Sequence, residues 1–376
     1  MVQGRVKREC DGSEGRRKGM LFAEVLKRKN ARWVATLLPL LLAVALAHSA
    51  PLTQSDGISP KAEESLRAVT DWVRNTPEVR GNYEYAMTAR LRLLFFWVTR
   101  SDVGGGTIRR GTLREDPQRE LISLLIGSDP AKARKINRWG SAMEVVRHAE
   151  DESRTAETSV FFGFMTRAKA EETSEETKAR MEKEKSSKEF EYQAVLSRLD
   201  RSQGIAKTVP IATEKELDIY QFGPMKEKVF AEMDGGAGKY RETPEALRQK
   251  CARVSGFLAS VAELADRALD RGVKKDEVCY LHYGELYTLK LTGTKVEPER
   301  TVKIEMKTEP RISEHTYKDL LLAEFQVVNH QTGKKSEFSL LLETTGRLRG
   351  VPVQITYQPN WWFQVILNLK PEQSTN

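Results

Sequence analysis

At 376 residues, with 39% hydrophobic and 30% charged side chains, the chain has ordinary globular composition, which excludes wholesale disorder and leaves room for two domains. Its formal charge of +8 raises nucleic-acid binding, but ten Lys and Arg against four Asp and Glu fall within residues 1–47, and the rest of the chain is close to neutral. No nucleic-acid partner is therefore expected.

Residues 1–47 read as a signal peptide with an extended n-region. Lys27, Arg28, Lys29 and Arg32 precede an uncharged apolar run from Val34 to Ala47, and Ala45-Leu46-Ala47 offers small residues for cleavage before His48. The run is shorter than a spanning helix needs and is interrupted by Pro39, so the mature chain is expected to carry no transmembrane segment and to be exported, periplasmic or extracellular.

Beyond the signal, Ser59-Pro60 opens a helix, and Tyr83 to Val98 alternates and then turns apolar on both faces in "LLFFWV", as one long strand entering a core. Gly104-Gly105-Gly106 marks a turn, followed by a buried strand from Glu120. From Leu121 to Asp200 the pattern twice reads strand, helix, strand, with Asp129-Pro130 opening the first helix and charged residues Ala168 to Lys188 forming the second. That order fits βαββαβ; because the second helix lacks an apolar face, an antiparallel meander with a projecting solvated helix is the alternative.

"DGGAGKYRE", residues 234–242, reads as a linker between a domain at 48–233 and one at 243–376. Thr243-Pro244 then opens the longest helix, apolar at Leu247, Cys251, Val254, Leu258, Val261, Ala265 and Leu269 and stopped by Gly272. Everything beyond Glu277 is strand-like. The expected fold class is α+β, two domains dominated by antiparallel sheet, the second a curved sheet or half-barrel packed by the long helix. A continuous helix would hold Cys251 about 30 Å from its end at 1.5 Å per residue, so Cys251 and Cys279 are expected to be unpaired even in an oxidising compartment.

No catalytic or cofactor motif emerges. Gly235 to Lys239 lacks the glycine and hydroxyl positions of a phosphate loop, and Cys279, His282 and Glu285 stand at a spacing that sends strand side chains to opposite faces. No metal or cofactor is expected, and no catalytic residue is assigned.

The segment "GVPVQITYQPNWWFQVILNLK", Gly350 to Lys370, reads as a hairpin. Pairing Tyr357 with Phe363 and Ile355 with Val365 gives one continuous apolar face, whereas an even loop mixes faces; the loop is then Gln358 to Trp362. Both tryptophans leave the alternating pattern at the tip. Trp361, Trp362, Tyr357 and Phe363 are the candidate contact residues for a ligand or partner. The function expected is that of an exported soluble binding or carrier protein for an apolar or amphiphilic envelope component, or for an envelope protein. The alternatives are an envelope hydrolase with a spatially assembled carboxylate or His-carboxylate site, or a structural interaction protein.

Overall fold

The computed structural model of the protein describes residues 78–371, apart from 94–95, 113–115, 117, 134–138, 149–153, 164–189, 201–202, 214–216, 218, 220–228, 234–237, 252–253, 283 and 306–311. The stretches expected to be a signal peptide (residues 1–47), a helix opened at Ser59-Pro60 and a charged helix from Ala168 to Lys188 lie outside the described residues.

Among the described residues fifteen strands form a single sheet. They are β1 (Glu78–Leu93), β2 (Phe96–Thr112), β3 (Arg119–Ser128), β4 (Trp139–His148), β5 (Arg154–Gly163), β6 (Phe190–Asp200), β7 (Gln203–Thr213) and β8 (Lys239–Glu242), then β9 (Val254–Ser255), β10 (Asp276–His282), β11 (Glu285–Glu305), β12 (Ile312–Asn329), β13 (Lys335–Glu343), β14 (Pro352–Asn360) and β15 (Phe363–Leu369). Two meanders, β1 to β8 and β9 to β15, join in the middle of the sheet where β1 pairs antiparallel with β15, Tyr85 opposite Leu369 through Leu91 opposite Phe363. Among these strands the two-residue β9 pairs in parallel, with β10.

Period-two patterning explains which face is covered. In β15, Phe363, Val365, Leu367 and Leu369 are buried while Gln364 and Ile366 are half-buried; opposite them Met87 and Tyr85 of β1 are buried too. The sheet is rolled around helix α2 (Phe257–Arg271), whose stripe Leu258, Ala259, Leu264, Ala265 and Ala268 is buried. Toward one meander α2 packs on Tyr280, Tyr287, Leu289 and Phe325, and toward the other on Ile122, Val146 and Ala156. Burying a leucine such as Leu264 contributes roughly 2 kcal/mol. The rolling brings the sheet's edges together: Ser255 Oγ in β9 accepts the Ala156 amide of β5 at 3.1 Å, and Arg241 of β8 reaches Glu285 of β11 at 3.2 Å. Gly272 ends α2 in the left-handed region at φ 64°, where a side chain would be strained.

Several expectations are corrected here. The α+β, two-domain arrangement is replaced by one large sheet, and among the described residues no long helix packs on a second domain. The helix expected from Pro244 to Arg271 breaks: α1 (Glu245–Arg248) ends after one turn, Val254 and Ser255 join the sheet beside Cys279 and Tyr280, and α2 starts only after Gly256. The chain therefore doubles back, and Cys251 and Cys279, expected to be unpaired, form a disulfide with their Cα atoms 6.2 Å apart.

The βαββαβ reading also gives way to an antiparallel meander, β3 to β4 to β5 to β6. Residues Pro130 to Ala133, expected to begin a helix, make a turn in which Asp129 Oδ1 accepts the Ala131 amide at 2.9 Å. Gly104 to Gly106 lies inside β2 rather than in a turn. A Cβ at Gly105 would fall 2.6 Å from the Tyr85 carbonyl oxygen, so glycine is needed for close approach. Residues Lys239 to Glu242, expected in the linker, are the edge strand β8. Among the described residues no helix is long and apolar enough to cross a membrane.

The paired strands β11 and β12 run past their neighbours as a long hairpin. Asp319 in β12 takes φ 52°, and its carbonyl accepts both the amide (2.9 Å) and the hydroxyl (2.7 Å) of Thr344, which pins the kink. Beyond it Val302, Ile304 and Tyr317 pack on Met87, Val353, Phe363 and Leu367, so the hairpin covers the seam between β1 and β15.

Candidate functional site

Two hairpin ends lie side by side at one end of the seam. In the first, β1 and β2 stay paired out to Leu93 opposite Phe96. In the second, Trp361 and Trp362 form the turn between β14 and β15. They are held together by the main chain: the Arg92 amide donates to the Trp362 carbonyl at 2.7 Å, next to the Leu91–Phe363 pair.

The strands carry their alternation beyond the core. Leu91 packs against the buried cluster, but its cross-strand partner Val98 is 42% exposed and Phe96, two residues further out on the same face, is 58% exposed. The opposite face carries Arg90, Arg92 and Trp97. The Arg90 guanidinium lies 5.1 Å from the Trp97 ring centre and that of Arg92 lies 5.8 Å from the Trp361 ring centre. Arg90 Nη1 also donates to Gln364 Oε1 at 3.0 Å, tying the two hairpins through side chains. Trp361 is 66% exposed. Residues 89–101 and 358–364 contain Arg90, Arg92 and Arg100 and no Asp or Glu.

A bulge aims the first tip. Met87 faces Gly104 and Ala89 faces Arg100, so Ser101 to Val103 on β2 stand opposite the single residue Thr88, two residues in excess. Asp102 sits there at φ 52° with its carboxylate bound to Lys132 Nζ at 2.9 Å, and the Val103 carbonyl accepts the Asp129 amide at 2.9 Å. The tip beyond the bulge therefore has a fixed direction.

Of the residues singled out from sequence, Trp361 is in solvent and Trp362 is half-buried against the seam cluster, its ring centre 6.0 Å from that of Phe363. Tyr357 and Phe363 are buried, at 4% and 1% exposure. Burial pushes the Tyr357 hydroxyl well above its ordinary pKa. The hairpin keeps the expected parity but shifts by two: Tyr357 pairs with Val365 and Ile355 with Leu367, because a bulge between Tyr357 and Asn360 leaves a two-residue turn. Sequence reasoning did not single out Phe96, Trp97, Val98, Arg90 or Arg92. Their signal was "LLFFWV", apolar on both faces at the end of an alternating strand.

A His-carboxylate pair, the signature sought for a hydrolase, occurs at His148 and Glu120, 3.0 Å apart, with Arg110 Nε 2.7 Å from the same carboxylate. Burial pushes the Glu120 carboxyl up, but hydrogen bonds from His148 and Arg110 outweigh it and hold the pKa at about 2. A carboxylate so firmly ionised is far from the neutral range that general acid–base work requires. It belongs to an ionic network along α2, in which Arg154 pairs with Asp266 and Arg267 bridges Glu263 and Asp276. Among the described residues no three His, Cys, Asp or Glu side chains gather as a metal site. Cys279 is taken by the disulfide, and His282 and Glu285 face each other across the β10–β11 turn.

No family model matches the chain, and no curated protein matches it. Among solved structures, the chain is similar to a beta-barrel-like protein of domain of unknown function DUF1849 from Brucella abortus, at 10% identity and a TM-score of 0.32, over 77% of this chain and 94% of that one. A DUF1329 family protein from Desulfovibrio piger ATCC 29098 is similar at 10% identity and a TM-score of 0.12, over 82% of this chain and 90% of that one. At these values the likeness carries no functional weight, and the aromatic tips stand on their own geometry.

Proposed function

We propose that the protein is an exported binding or carrier protein for an amphiphilic component of the cell envelope, received at the paired tips of β1–β2 and β14–β15. One observation carries the reading: Phe96, Val98 and Trp361 stand 58, 42 and 66% exposed on two strand pairs that are fixed to each other. Single exposed apolar residues are ordinary, but Phe96 and Val98 on one face of a strand pair, with Trp361 beside the arginines of the other face, have the composition of a contact surface. Apolar chains would lie on Phe96, Val98 and Trp361, and an anionic head would meet Arg90 and Arg92.

Two observations support export. A Cys251–Cys279 disulfide suits an oxidising compartment, and the basic flank and apolar run of residues 27–47 have the pattern of a secretory leader.

The test is to express the full chain, recover the exported form, extract it with organic solvent and identify copurifying molecules by mass spectrometry. An amphiphile present in the native protein and lost from a Phe96→Ala, Val98→Ala, Trp361→Ala variant with native circular dichroism is the expected result. No bound amphiphile, and no uptake of a fluorescent long-chain fatty acid by the native protein, would refute it.

A further inference from the structure

We infer that the paired tips dock the protein peripherally on an anionic phospholipid bilayer, an inference that rests on the same assignment of the tips as the contact surface. The shape of the surface points there. β2 extends from Phe96 to Val103 beyond its last pairing with β3, at Gly104 opposite Ser128, so the tip projects from the sheet on that side. The two tips thus expose apolar side chains on both faces, Phe96 and Val98 on the Leu91 face and Trp361 beside Arg92 of the other. A projecting tip with apolar side chains on both faces can enter a lipid interface as a unit.

The chemistry of the tips agrees. Tryptophan and phenylalanine settle at the boundary between headgroups and acyl chains, and arginines beside them meet phosphate. Arg90 and Arg92 each lie against an indole, 5.1 Å from Trp97 and 5.8 Å from Trp361, and no carboxylate falls within residues 89–101 or 358–364 to oppose an anionic surface. The first acidic partner is at the base of the tip, where Ser101 Oγ donates to Glu305 Oε2 at 3.1 Å. The tips are also preorganised. The strand ladder and the bond from the Arg92 amide to the Trp362 carbonyl fix the tips before contact, so docking loses little backbone entropy.

The experiment uses the full exported protein and sucrose-loaded vesicles, either of phosphatidylcholine alone or with about one third phosphatidylglycerol. Expected is cosedimentation with the anionic vesicles, a blue shift of tryptophan emission, and release at about 0.5 M salt, where charge attraction is screened. Arg90→Gln with Arg92→Gln should weaken anionic-vesicle binding about 30-fold, the loss of two charges at a lipid surface, while circular dichroism stays native. Phe96→Ala with Trp361→Ala should abolish both binding and the blue shift while circular dichroism stays native. Wild-type protein remaining in the supernatant, or undiminished binding by the Phe96/Trp361 variant, overturns docking. Amphiphile copurification without vesicle binding refutes docking and leaves the carrier reading standing; vesicle binding without any amphiphile taken up does the reverse. Capture of an envelope protein through these tips, with vesicles ignored, refutes bilayer docking in favour of a protein partner.

Discussion

Glu144 of β4 accepts the amide hydrogen of Ala259, in the first turn of α2, at 2.9 Å. Gly256, the residue before the helix, supplies no side-chain cap, so a carboxylate 115 residues away takes that role. There is no room for anything larger at Gly256, since a Cβ there would land on the Glu144 carboxylate. Burial raises the carboxyl and the amides of Ala259, Leu258 and Phe257 lower it; burial wins, and the pKa sits at about 7.

The sign of the resulting pH dependence follows. The folded state keeps a proton that the unfolded chain releases from about pH 4.5 upward, so this contribution is complete below that value and is lost as pH rises through about 7. It amounts to roughly 3 kcal/mol at 1.4 kcal/mol per unit. Glu144→Gln should match the native protein in urea unfolding at low pH and exceed it by up to that amount above pH 7. Parallel pH profiles for the two proteins would contradict this.

Glu120 behaves in the opposite sense. Its pKa is held at about 2, so the stability it contributes is present above about pH 4.5 and is lost as pH falls through 2. In chemical denaturation between pH 5 and pH 2, Glu120→Gln should remove up to roughly 3 kcal/mol of the native protein's acid sensitivity. Because Arg110 and His148 would be left with a neutral partner, the variant should also be less stable at neutral pH.

Reduction of the Cys251–Cys279 bond, which closes a loop with a sequence separation of 28, should cost about 3 to 4 kcal/mol. Calorimetry with and without a phosphine reductant measures it, and nonreducing peptide mapping should recover the two cysteines on one linked species. A melting temperature unmoved by reductant would show that the bond does not hold the turn after α1.

Phe363→Ala should be among the most damaging changes in the sheet, at about 3 to 5 kcal/mol, because the ring is 1% exposed in the seam cluster. Trp361→Ala, at 66% exposure, should cost less than about 0.5 kcal/mol. Trp362→Ala, half-buried beside Phe363, should fall between them. Equilibrium unfolding of the three variants gives the order directly, and a Trp361 cost equal to that of Phe363 would remove the tip from consideration as a free surface.

The sequence carried the face of the closing hairpin but not its register. The alternation of Val353, Ile355 and Tyr357 against Val365, Leu367 and Leu369 allows only same-parity pairings, and the structure uses one. The two-residue shift comes from a bulge at Gln358 and Pro359, which lets bulky tryptophans occupy a turn where such residues are disfavoured. The long helix failed for a different reason. Apolar residues at 247, 251, 254 and 258 fit a helix, yet they equally fit a turn of helix, a disulfide, a strand and a second helix, each burying its own member. The discriminating residue was Gly256. Phe96 and Val98 read as members of a buried strand because hydrophobicity alone does not tell a core from an apolar surface.

Tyr85 of β1 donates its hydroxyl to the carbonyl of Pro352, 267 residues away, and the edge of β1 from Tyr85 to Leu91 is paired by β15. During synthesis the first meander therefore emerges with one long edge open, and nothing made before β15 closes it. Such an edge templates pairing with other chains, and assembly that waits on so distant a partner is slow. The topology makes β15 the piece whose arrival commits the molecule to its native form.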